Sequence, residues 1–164
     1  MDIVVAFSGK VTIPANVDTF VRRLVESISA YGVDDPWTTI KQVVVDNQGV
    51  LRTNNVVIAY RQGDAIIARE IALHVQNQPF GLTITRCGGD KCPRSEQRAN
   101  LIGYTKERGE EKGMFKCTVC GWSSHWFKCS DFNGLLTSLG RYAPLIYYQS
   151  YPANPGVMNV IYGK

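Results

Sequence analysis

All five cysteines of this 164-residue chain fall between residues 87 and 129, and that clustering constrains the fold more than any other feature. Four residues separate Cys87 from Cys92, two separate Cys117 from Cys120, and Cys129 is alone. An odd count leaves one thiol over from any closed disulfide set. No secretion signal is read: the opening apolar run, 3–7, is shorter than a signal-peptide core, and no basic residue precedes it. No Asn-x-Ser/Thr acceptor occurs, and no stretch approaches the ~20 apolar residues of a membrane span. The expectation is an intracellular protein, nuclear or cytoplasmic. In such a reducing compartment, clustered cysteines bind metal more often than each other.

Each short pair can present two sulfurs to one tetrahedral Zn²⁺ at about 2.3 Å. In the second pair, Gly121 directly follows Cys120, where a tight turn favours a residue without Cβ. With Met114-Phe115 leading in as an apolar strand and Trp122 leading out, residues 85–130 resemble zinc-ribbon domains. The resemblance is at the level of the motif and covers roughly a quarter of the chain. It implies one structural Zn²⁺ held by Cys87, Cys92, Cys117 and Cys120, although ribbons usually separate their first pair by two residues rather than four. A second set competes. Cys117-x2-Cys120-x4-His125-x3-Cys129 resembles the CCHC zinc knuckle of retroviral nucleocapsid proteins, one residue short before the last cysteine. His125 and Cys129 are therefore the alternate ligands.

The chain's net charge of +4 has a place as well as a size. Residues 83–129 carry nine basic and five acidic side chains, so the whole excess lies in the cysteine segment. That points to a polyanion, although Glu107, Glu110 and Glu111 interrupt the run. Pro93 to Lys116 reads as a long polar loop tied at its ends by the metal. Arg94, Arg98, Lys106, Arg108, Lys112 and Lys128 are the candidates for phosphate contacts, and Trp122 and Trp126 for stacking on bases. The function expected is a non-catalytic nucleic-acid-binding module, with DNA and RNA both open. The alternative is a protein-interaction or scaffold subunit whose zinc is purely structural, docking on a partner through its tyrosine-rich C-terminus.

Catalysis finds little support. The chain has two histidines, His74 and His125, and none of the GxxxxGK[ST], GxGxxG or GxSxG patterns. Four thiolates would fill a tetrahedral zinc and leave no position for water. His74, in an apolar run, reads as a core residue, and no catalytic residue is assigned.

The remaining pattern predicts an α+β fold, a mainly antiparallel sheet with one principal amphipathic helix. Val17, Phe20, Val21, Leu24, Val25 and Ile28 make the helix stripe, with Asn16 as N-cap and Gly32 as C-cap. Residues 2–13, 40–46 and 50–61 read as extended; 65–75 alternates as a strand that would pair with 56–61, although Asp64 could instead cap a helix over 65–70. A short helix is expected over 132–139, and the Pro-rich C-terminus as an extended segment on the body. The divisions drawn are a body at 1–82, a zinc-ribbon-like unit at 83–130 and a Tyr/Pro-rich segment at 131–164.

Overall fold

The apolar repeat after Pro14 does form a helix, α1 (Pro14–Tyr31), and it buries Phe20 and Leu24 completely. A computed structural model describes residues 3–8, 13–31, 35–90, 92–93, 101–106, 111–140 and 143–163. Two details of the expected stripe change. Val25 is exposed at the edge of the helix, and Asn16 lies inside the first turn, its side-chain amide donating to Gly49 O at 3.3 Å. The expected C-cap, Gly32, is outside the described residues.

Residues 36–46 are a helix, α2 (Pro36–Asp46), not the expected strand. Asp35 caps it by accepting the Trp37 N–H at 3.1 Å, and Pro36 occupies the first turn, where its missing N–H costs nothing. The buried residues Trp37, Ile40, Val43 and Val44 follow helical spacing. A β-branched triplet at 43–45 therefore yields to capping and burial periodicity.

The helices cover one face of a five-stranded sheet. β1 (Ile3–Ser8), β2 (Asn55–Gln62), β3 (Ala65–Leu73), β6 (Leu136–Ser138) and β7 (Ile146–Ser150) lie in the order β1-β2-β3-β7-β6. Every neighbouring pair is antiparallel, so the fold is α+β. β2 and β3 meet through the two-residue turn Gly63-Asp64, with Gly63 at φ +60. Extended structure begins at Asn55, because residues 48–52 form a 3-10 turn. Ile58, Tyr60, Ile71 and Ile146 face the helices and form the first core with Phe20, Leu24 and Ile40. Arg69 is tolerated on this face because its guanidinium lies 4.0 Å over the Trp37 ring, beside Tyr60 and Tyr148.

The C-terminus departs most from expectation. β7 pairs with both β3 and β6 and is thus a central strand. The expected helix over 132–139 is a 3-10 turn, Cys129–Phe132, followed by β6. The chain then closes with α3 (Pro155–Tyr162), capped by Asn154, whose side chain accepts the Gly156 N–H at 2.8 Å. Among the described residues no helix is long and apolar enough to cross a membrane.

A second core lies on the other face of the sheet. Tyr147 and Leu136 from the sheet meet Val157 and Ile161 of α3, together with Phe80, Phe115, Phe127 and Phe132. Phe115 belongs to a separate hairpin, β4 (Leu101–Lys106) with β5 (Lys112–Cys117). The hairpin is fastened by Pro79, which presses into it where side chains are absent. A Cβ on Gly103 would lie 2.5 Å from Pro79 Cδ, and one on Gly113 would lie 2.5 Å from Pro79 Cβ. Gly113→Ala should therefore lower unfolding free energy by about 1–3 kcal/mol in denaturant titrations. Gly49→Ala, whose methyl would meet Asn16 at an ordinary 3.7 Å, should be near neutral.

Candidate metal centre

Two turns bring four sulfurs together. The second is built at the end of β5, where Cys117 holds the last ladder position and the chain reverses. Gly121 closes the turn by donating its N–H to Cys117 O at 3.1 Å, with φ +75, which glycine adopts without penalty. The N–H groups of Cys120 and Val119 aim at the Cys117 sulfur, and these hydrogen bonds hold its thiol down at about 7, against the raising effect of burial.

The first turn, 87–92, leaves the second core after Ile84. Gly89 donates its N–H to Cys87 Sγ at 3.3 Å, and the Cys92 N–H donates to Gly89 O at 3.1 Å. Burial pushes the Cys87 thiol up to about 12. The pair Gly88-Gly89 is a turn between ligands, and its glycines also allow close approach. A Cβ on Gly88 would lie 2.5 Å from the Trp122 ring, and one on Gly89 would lie 3.0 Å from Cys120 Sγ.

The sulfurs of Cys87, Cys92, Cys117 and Cys120 all lie within 4.8 Å of one another. Cys87 and Cys120 are 3.5 Å apart, Cys92 and Cys117 3.8 Å, and none forms a disulfide. Four metal–sulfur bonds of about 2.3 Å at tetrahedral angles require sulfur separations of about 3.8 Å. The group therefore fits one metal ion, with two ligands from each turn. Cys87 and Cys117 are buried, Cys92 is half-buried and Cys120 is exposed.

The alternate ligands lie elsewhere. Cys129 packs at the edge of the second core with its sulfur 3.8 Å from Leu136 O, and burial, then Glu111 and Asp131, push its thiol up. The exposed His125 ring sits beside Gly163 at the end of α3. His74 is buried, and its Nδ1 accepts the Phe80 N–H at 3.1 Å. Glu111 ties the start of β5 to the sheet: Tyr147 donates to its Oε2 at 3.0 Å, which, after burial, helps push the tyrosine hydroxyl up.

The interval between the cysteine pairs is not the expected loop, since much of it is the β4–β5 hairpin. Arg94, Arg98 and Arg108 lie outside the described residues. Lys106 ends β4 as the register partner of Lys112, and Lys112 is half-buried. Lys128 donates its backbone N–H to Asp131 Oδ2 at 2.7 Å, at the start of the 3-10 turn. Trp126 is exposed, but Trp122 is half-buried under Gly88, with its ring 5.7 Å from that of Tyr162. Tyr162 in turn donates to Arg86 O at 2.6 Å, so two aromatic rings brace the first turn.

Sequence reasoning passed over one feature of the hairpin. On β5 the side chains Gly113, Phe115 and Cys117 point inward and are buried, while Lys112, Met114 and Lys116 face outward. Tyr104, 40% exposed, is the register partner of Met114, and Ile102 that of Lys116. The signal was the period-two alternation in Lys112–Cys117. No protein-family model matches the chain, and neither does any curated protein or solved structure.

Elemental analysis of the reduced full chain should find one tightly held divalent metal per chain. Cys117→Ser should lose it together with thermal stability, while Cys129→Ser and His125→Ala keep it. Metal kept by Cys117→Ser but lost from Cys129→Ser would show a different ligand set.

Proposed function

We propose that the chain is a zinc-stabilised, non-catalytic nucleic-acid-binding protein, in which a zinc-ribbon-like unit presents a basic sheet face to phosphates. Four thiolates suit Zn²⁺, and they complete its tetrahedron without an open position for water. Ligands from two turns on either side of a hairpin make the ion a fold-forming element, so that its binding energy becomes folding energy. Cys87, Cys92, Cys117 and Cys120 are its ligands.

The observation that carries the nucleic-acid reading is the outward row Lys112, Met114 and Lys116 on β5, with Tyr104 beside it. Two lysines at alternate outward positions offer phosphate contacts, and the apolar surface between them offers somewhere for a base to lie. Trp126, exposed in the segment that follows β5, belongs to the same unit. Arg94, Arg98, Lys106, Arg108 and Lys128 extend the positive charge in sequence. A protein-docking role for the same face rests on Ile102 and Met114, and would respond weakly to salt.

Fluorescence anisotropy of labelled oligonucleotides between 50 and 200 mM salt tests the reading. Affinity should fall linearly on a log–log plot, and replacing both Lys112 and Lys116 with Gln should reduce the slope by about two on duplex DNA. No binding of any oligonucleotide at 50 mM salt would overturn the reading and favour the docking role.

A further inference from the structure

We propose that the outward face of the β4–β5 hairpin binds unpaired bases, one of them lying on Tyr104 and Met114 with its flanking phosphates at Lys112 and Lys116. The inference rests on the nucleic-acid reading above and narrows it to single strands. Three observations carry it.

The first is the kind of side chain on the face. Tyr104 and Ile102 stay 40% and 39% exposed on a hairpin whose other side buries Gly103, Gly113, Phe115 and Cys117, so an apolar surface remains in water. Phosphates cannot use that surface, whereas the flat ring of a base can. In a duplex the base faces are already stacked on one another, so only unpaired bases offer them.

The second is where the charge sits. Lys112 and Lys116 flank Met114 on the same side of β5, with Cα positions on the order of 14 Å apart along the strand. A base centred on Met114 and Tyr104 would have its backbone running towards a lysine in each direction. Neither ammonium group is in an ion pair with a described residue.

The third is shape. Among the described residues of the unit there is no helix to enter a major groove; the exposed element is a sheet surface. Bonds from Gly113 to Phe127 and from Ser124 N–H to Phe115 O lay a further stretch of chain along the free edge of β5. The face is thus broadened into a platform with its edge covered, which suits stacking better than groove insertion.

The test compares a fluorescein-labelled twelve-nucleotide oligo(dT) with a blunt twelve-base-pair duplex on the full, metal-loaded chain. The expected result is single-strand affinity about tenfold or more above that for the duplex. Tyr104→Ala should weaken the single strand roughly five- to 150-fold while the duplex scarcely changes, and Tyr104→Phe should retain binding. Because Tyr104 is exposed, its variants should keep their metal content and circular dichroism, and both are measured alongside. Equal affinity for the two probes, with Tyr104→Ala without effect on either, overturns the single-strand inference and leaves the nucleic-acid reading standing. Failure of both probes at 50 mM salt overturns both. Competition by poly-glutamate as effective as that by unlabelled oligo(dT) shows that charge alone is recognised, and also overturns the inference.

Discussion

The meeting of four sulfurs within 4.8 Å is the constraint on which the second half of the molecule depends. It closes the chain between Cys92 and Cys117 into a loop, and the entropy lost in closing such a loop grows only slowly with its length. Metal ligation can offset that loss, but it cannot give the unit an interior. Phe115 and Phe127, the buried aromatic residues of the cysteine unit, share their core with Phe80, Phe132, Tyr147, Val157 and Ile161. A unit of this size has too little volume to bury such residues alone. The sheet therefore supplies the packing that positions the turns, and the turns in return cover the sheet's second face.

The cysteine centre was legible because its information is local. Cys117-x2-Cys120-Gly121 specifies a turn whose N–H groups point at a sulfur, and a glycine in the left-handed region completes it. The choice of Cys87 and Cys92 over His125 and Cys129 was not local. It depends on Cys129 being drawn into the second core and His125 being placed beside α3, and both follow from the position of a C-terminal helix that the sequence pattern had not revealed. Trp122 had two readings, a stacking platform or part of the small core of the unit, for a similar reason. An indole beside a metal-binding turn resembles a stacking platform until Gly88 and Tyr162 are seen to cover it.

Elsewhere the misreadings share one cause, the weight given to single residue types over period and position. Val43-Val44-Val45 suggested a strand, yet Trp37, Ile40 and Val44 recur at helical spacing behind an Asp-Pro start. Prolines argued against a central strand near the C-terminus. Pro144 and Pro152 instead stand just outside β7, so all five of its residues keep the N–H groups that two neighbouring strands require. For 65–75 the alternation of Ile67, Ile71, Leu73 and Val75 competed with Asp64 as a helix cap, and the two-residue turn Gly63-Asp64 and its pairing to β2 decide for the strand.

One strand joins structure to proposed function. On β5 the pleat sends Gly113, Phe115 and Cys117 towards Pro79, the second core and the metal centre, and sends Lys112, Met114 and Lys116 towards solvent. A one-residue slip would exchange the two sets, putting lysines in the core and a metal ligand in water. The inward set therefore fixes the register, since glycine is tolerated against Pro79 and Cys117 supplies one of the four clustered sulfurs. The outward set inherits its spacing from that register while contributing little to folding. This division leaves the face able to carry a binding role, because the exposed Lys116 and Tyr104 can be exchanged with little effect on the packing that holds them in place.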